Sequence, residues 1–210
     1  MSLTDQELIE LERLVAERDR DNRLKSLISL ENKNPNYVHL RESLEDPNFS
    51  ASELAGSSRS GKTYSGVDFI IFLCLFKEPT CVINVYRETY ASFKETLYDD
   101  FKTRLDYFSL PNPFHNAMEV KSFRIGRSKI TFIGCDKVSR AHGAGCDYAF
   151  FNEVMHISQG VFKQVTMRCR KFWWADYNPS FTDHWFFDTV SKRNDVSFLR
   201  TTFLDNEFIP

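Results

Sequence analysis

Apolar residues near the start of the chain fall at Leu8, Leu11, Leu14 and Val15 and again at Leu24, Leu27 and Ile28, three or four apart among dense charges. That spacing predicts an amphipathic helix over residues 4–30, interrupted near 19–22, where no apolar residue falls. Pro35 and Pro47 lie in Asn- and Asp-rich stretches that predict turns. Residues 1–48 therefore read as an N-terminal helical appendage and 49–210 as the main domain. From residue 49 the pattern changes. The short apolar run ASELA is followed by the glycine turn GSSRSGKT, the helical stretch TYSGVDFIIFLCLF, the β-branched run TCVINVY and a helical stretch over 90–108. VKSFRIGRSKITFIG holds two short alternating strands around Gly126, which predicts a hairpin. YAFFNE and FWWADY read as buried strands, 184–191 as a helix and VSFLRTTF as a last strand. Strands alternating with helices predict an α/β fold with a mainly parallel central sheet flanked by helices.

Composition narrows the function classes. The 210 residues carry 27 Lys+Arg against 29 Asp+Glu, a net charge of −2, which argues against coating nucleic acid by bulk electrostatics but leaves room for a local basic patch. The longest apolar run falls far short of the roughly 20 residues a membrane span needs, and the acidic start lacks the pattern of a signal peptide. Five cysteines, odd in number and without a CxxC pair, read as buried free thiols of a reducing compartment. The five histidines show no zinc spacing. Trp173, Trp174 and Trp185 read as core packing in preference to base stacking.

The glycine turn carries the chemistry. Gly56, Ser57, Ser58, Arg59, Ser60, Gly61, Lys62 and Thr63 form a complete GxxxxGK[ST] phosphate loop, with a predicted strand before it and a helix after it. In such a loop successive backbone N–H groups face a phosphate, Lys62 reaches the β and γ phosphates, and the Thr63 hydroxyl ligates Mg2+. ATP and Mg2+ are the expected cofactors. The loop requires a second strand ending in a metal-holding residue and a catalytic carboxylate, and CDYAFFNE supplies it. Glu153 is expected to polarise the attacking water, and Asn152, where aspartate is usual, to hold Mg2+ through its water shell as a neutral ligand. The bland alternatives are a solvated loop carboxylate for Glu153 and a strand-end cap for Asn152.

These motifs together resemble the ATPase part of the large terminase subunit of tailed bacteriophages. The phosphate loop with its internal arginine is similar, as are VYRETYASFKETLYDDFK and ITFIGCDKVSRAHGAGCDYAFFNE, and most distinctively ADYNPSFTDHWFFDTV and RTTFLDNEFIP, so that the resemblance covers residues 51–210. It implies a phosphate-loop NTPase of the additional-strand, catalytic-glutamate type. It further implies ATP hydrolysis coupled to translocation of double-stranded DNA into a procapsid, in a homo-oligomeric ring on a portal protein and together with a small terminase subunit, in the cytoplasm of the infected host. Asn178 matches the position of the family's coupling motif, which senses the γ-phosphate; the alternative is an Asn-Pro turn. Arg140, in a loop rich in small residues, matches a trans-acting arginine finger, or else is a surface arginine. Arg87 opens a segment that packs near the nucleotide or faces DNA, and Arg59 either touches phosphate or points outward. The resemblance also places Pro210 at the connector to a nuclease domain, and no nuclease activity is expected of this chain.

Two other functions share part of the pattern. A helicase-like nucleic-acid ATPase has the phosphate loop and the glutamate but not the Asn-Pro and Asp-Asn segments. An assembly module that binds nucleotide without turnover is suggested by Asn152.

Overall fold

Among the described residues, six of seven strands run parallel in one sheet of order β3-β4-β2-β5-β6-β1-β7. They are β1 (Ala51–Gly56), β2 (Val82–Arg87), β3 (Ser122–Ile125), β4 (Ser128–Gly134), β5 (Cys146–Phe151), β6 (Cys169–Tyr177) and β7 (Val196–Thr201). The computed structural model describes residues 5–136, 145–180 and 182–207. Only β3, at the sheet's edge, is antiparallel to its neighbour. The hairpin around Gly126 is present, and its second arm is also a central strand: β4 pairs in parallel with β2.

The interior parallel strands are largely buried on both faces, and their side chains divide between two cores. Tyr148 and Phe150 of β5 and Phe172 and Trp174 of β6 join Leu54, Ile83 and Val85 on one face. There they meet α3 (Lys62–Phe72) and, beyond the short α4 (Tyr90–Ser92), α5 (Tyr98–Tyr107) through residues such as Phe69 and Phe101. The intervening residues Ala149, Phe151, Trp173 and Ala175 point the other way and pack against Val161, Phe162 and Val165 of α6 (Gln159–Thr166) and Phe186 of α7 (Trp185–Thr189). Trp173 and Trp174 are buried, as core packing requires. All five cysteines are free.

The N-terminal segment differs from the sequence reading in two ways. Helix α1 (Asp5–Ser26) is continuous through 19–22. Of its apolar residues Leu11, Leu14 and Val15 are exposed, while Leu27 just beyond it is fully buried. Residues 35–45, expected to begin as a turn, form α2 (Pro35–Glu45). Pro35 sits at the first helical position, where its missing N–H costs nothing, and the Asn34 side chain caps the helix by accepting from the Asn36 N–H. Tyr37 and Leu40 of α2 enter the same core as α3. No helix among the described residues is long and apolar enough to cross a membrane.

Candidate functional site

Parallel strands deliver their C-terminal ends to one edge of the sheet, and ligands of open α/β sheets bind in the crevice beyond it. Here that edge borders a cleft of about 1210 Å3 lined by the phosphate loop, Asn152, Glu153, Asp176 and Asn178. The loop leaves β1 at Gly56, where a Cβ would lie 2.4 Å from the Thr201 carbonyl oxygen on β7. It turns through left-handed backbone at Arg59 (φ 64°) and Gly61 (φ 87°) and enters α3 at Lys62. Arg59 is exposed.

The side chains expected to meet nucleotide converge on this edge. Lys62 is buried and its Nζ donates to the Gly56 carbonyl (2.8 Å), the Ser57 carbonyl (2.9 Å), Ser60 Oγ (3.2 Å) and Asn178 Oδ1 (3.1 Å). Burial pushes its pKa down, against the opposing pull of Asp176 and Glu153. Asn178, one residue past the end of β6, thus stands beside the lysine, 116 positions away in sequence. Residues 137–144 lie outside the described structure, and Arg140 with them.

The outer side of the loop is clasped by three asparagines. Asn34 Nδ2 and Asn36 Nδ2 both donate to the Ser60 carbonyl (3.1 and 2.9 Å). Asn34 Nδ2 also donates to Asn206 Oδ1 (3.1 Å), and Asn206 Nδ2 donates to the Arg59 carbonyl (2.8 Å). The segment before α2 and the segment after β7 therefore meet on the phosphate loop. Beyond it, the cleft's flank is formed by the part-buried ion pair of Arg104 with Asp68 (2.6 and 2.8 Å) and by the exposed rings of Tyr64 and Tyr107.

Asp176 stands at the centre of the site, and sequence reasoning passes it over. It lies near the end of β6, the strand inserted between β1 and β5, and is 2% exposed. Asn152 Nδ2 donates to both of its oxygens at 2.9 Å, the Glu153 N–H to Oδ1 at 2.7 Å and the Thr63 hydroxyl to Oδ2 at 3.3 Å. Burial raises its pKa, with the Glu153 N–H opposing most strongly. Glu153 follows β5 in left-handed backbone (φ 55°), and its Oε2 accepts from Arg87 Nη2 (2.7 Å) and Nε (3.3 Å). Arg87 at the end of β2 also donates through Nη1 to the Ser92 carbonyl (2.6 Å) and Thr96 Oγ1 (2.8 Å). Asp100, on α5, lines the same cleft; desolvation, with the charges of Asp176 and Asp99, pushes its pKa up to about 6.

The likeness to known proteins follows the same architecture. The profile of the phage terminase large subunit family matches residues 51–210. No curated protein sequence matches. Among solved structures, the large terminase of a thermophilic bacteriophage in complex with ADP superposes with a TM-score of 0.65 at 16% identity, over 84% of this chain and 47% of that one. A second crystal form of the same terminase gives 0.62 at 18% identity over the same shares. The large terminase ATPase domain of Thermus phage P74-26 gives 0.53 at 13% identity, over 77% of this chain and 79% of that one. The chain thus spans about half the length of the first of these terminases, and at these identities the superpositions speak for the fold: a phosphate-loop NTPase. With the family profile covering well over half of the sequence, the chain belongs to the phage terminase large subunit family.

Proposed function

We propose that this chain is the ATP-hydrolysing motor domain of a phage large terminase, which drives double-stranded DNA into a procapsid. The observation that carries the reading is the convergence of Lys62, Thr63, Glu153 and Asn178 around one cleft at the C-terminal edge of the sheet. The ADP complex of the thermophilic-phage large terminase, a protein of the same fold, supports adenine nucleotide as the ligand.

In this reading the loop N–H groups and the positive end of α3 receive the phosphates, and Lys62 meets the β and γ oxygens. The groups beside the loop suit a hard divalent cation, since the Thr63 hydroxyl would offer an oxygen ligand and the Asp176 carboxylate, which accepts from it, would add negative charge behind it. A bound Mg2+ supplies charge neutralisation on the β and γ phosphates. Glu153, whose side chain is 45% exposed towards the cleft, orients the attacking water and takes up its proton. Asn178, beside Lys62, reads the presence of the γ-phosphate and passes it to the segment after β6. A ring of such subunits on a portal, working with a small terminase subunit in the host cytoplasm, converts that signal into DNA movement.

Nucleotide binding measured by calorimetry on the wild type and on Lys62→Ala tests the site. The variant should lose at least a hundredfold in ATP affinity while retaining its circular dichroism and melting cooperativity. Equal affinity in the two proteins removes the phosphate-loop assignment. Phosphate release with and without DNA and portal tests the motor reading, which fails if neither changes turnover.

A further inference from the structure

The residue at the end of β5 cannot do what that position ordinarily does. Asn152 is neutral and buried, and its amide nitrogen is committed to both oxygens of Asp176. The register explains the meeting. Phe151 of β5 pairs with Ala175 of β6, so the next residues, Asn152 and Asp176, stand side by side on adjacent parallel strands. On its other side β6 pairs with β1, with Asp176 opposite Leu54, two residues before the phosphate loop begins. The carboxylate thus lies one strand nearer the loop than a carboxylate at 152 would.

Its contacts suit a metal shell. The Thr63 hydroxyl donates to Asp176 Oδ2. A threonine hydroxyl that ligates a cation keeps its proton and donates it in a hydrogen bond, and an acceptor fixed in place orients the oxygen's lone pair. The groups that donate to Asp176 are two amides and a hydroxyl, all neutral, so its negative charge is directed but not cancelled by them. Lys62 is the cation acting on it, and Glu153 and Asp100 are the nearby carboxylates.

We propose that Asp176, on the inserted strand, supplies the carboxylate of the Mg2+ shell in place of residue 152, and that Asn152 serves to hold Asp176 in position. The two residues have exchanged carboxylate and amide between neighbouring strands. The proposal rests on the nucleotide-site reading above, and its test separates the two. Asp176 is a metal-shell residue acting through the Thr63 hydroxyl; Asn152 is a positioning residue.

The test is Mn2+ titration of the ADP-loaded protein, followed by electron paramagnetic resonance, together with ADP affinity in EDTA. Asp176→Asn should weaken Mn2+ binding at least tenfold while leaving metal-free ADP affinity within about threefold of wild type. The double exchange Asn152→Asp/Asp176→Asn keeps one carboxylate and one amide in contact, and should return Mn2+ affinity to within about threefold of wild type. A folded Asp176→Asn protein with an unchanged Mn2+ midpoint overturns the proposal. So does a double exchange that folds and binds ADP but remains as weak for Mn2+ as the single variant. If neither variant folds, the charge at 176 is required by the fold itself and the metal assignment falls. If wild type shows no ADP affinity in EDTA or with Mn2+, the nucleotide-site reading fails instead.

Discussion

Arg87, at the end of β2, holds Glu153, just past the end of the neighbouring β5: Nη2 lies 2.7 Å from Oε2, with Nε on the same oxygen. The two ends of the pair differ. Arg87's side chain is 5% exposed and that of Glu153 45%, so the arginine is the fixed partner and the glutamate the accessible one. A carboxylate so placed can leave the arginine for water without moving the backbone. Glu153→Gln should therefore retain ATP binding and lower turnover by about 10² to 10⁴, the usual range for removal of a general base. Single-turnover phosphate release checks this, and turnover within threefold of wild type moves the catalytic role elsewhere.

Arg87→Ala removes more than the ion pair, because Nη1 also satisfies the Ser92 carbonyl and Thr96 Oγ1, which fix the start of the helical stretch after β2. Glu153 is half in water, so its charge is not stranded by the change, and the cost comes mainly from the lost hydrogen bonds. Urea denaturation should show a loss of about 1–3 kcal/mol. A loss below about 0.5 kcal/mol would mean that these contacts are replaced by water.

The sheet and the phosphate loop are legible because both are local. Strands such as YAFF and FWWA are buried on both faces and therefore read as continuous apolar runs, and the loop is eight consecutive residues whose glycines have a backbone reason to be there. Asp176 is not legible because its meaning comes from register. Nothing in the sequence says that the strand holding it inserts between β1 and β5, or that this brings it against Asn152, 24 positions earlier. The Arg87–Glu153 pair, 66 positions apart, is hidden in the same way. Helix α2 is obscured by local chemistry, since Asn34-Pro35 begins a helix as readily as a turn. Helix α6 does leave a signal that the sequence reading misses, Val161, Phe162 and Val165 at helical spacing.

Gly61 answers two demands at once. Its φ of 87° is open to glycine and strained for other residues, and a Cβ there would lie 2.3 Å from Asn34 Nδ2. Gly61→Ala should thus cost about 1–2 kcal/mol for the left-handed backbone and, in addition, push Asn34 off the Ser60 carbonyl. We expect a lower melting temperature and at least a tenfold loss of ADP affinity. Asn34→Ala removes the atom in the way while leaving the backbone strain, so the double variant should be less impaired than the sum of the singles. Strict additivity would show that the clasp and the glycine do not communicate.

Asp100 gives the fold a pH dependence whose sign can be worked out. Desolvation, helped by the charges of Asp176 and Asp99 and opposed by Arg87, raises its pKa from 3.8 to about 6 in the folded protein. Between about pH 4 and pH 6 the folded state therefore holds a proton that the unfolded chain has released, and stability falls as pH rises through that window. A tenfold change in the acid dissociation constant corresponds to about 1.4 kcal/mol, and because the cleft admits water the realised penalty above pH 6 should be about 1–2 kcal/mol. Asp100→Asn abolishes this contribution. Other buried carboxylates titrate in both proteins, so the difference between variant and wild type isolates position 100. Urea midpoints taken at pH 4, 5, 6 and 7 should coincide at the acid end and separate progressively, with the variant about 1–2 kcal/mol more stable at pH 7. Parallel curves across the whole range would place the Asp100 carboxylate in water in the folded state, and a variant less stable at pH 7 would mean that its charge is held by a favourable partner.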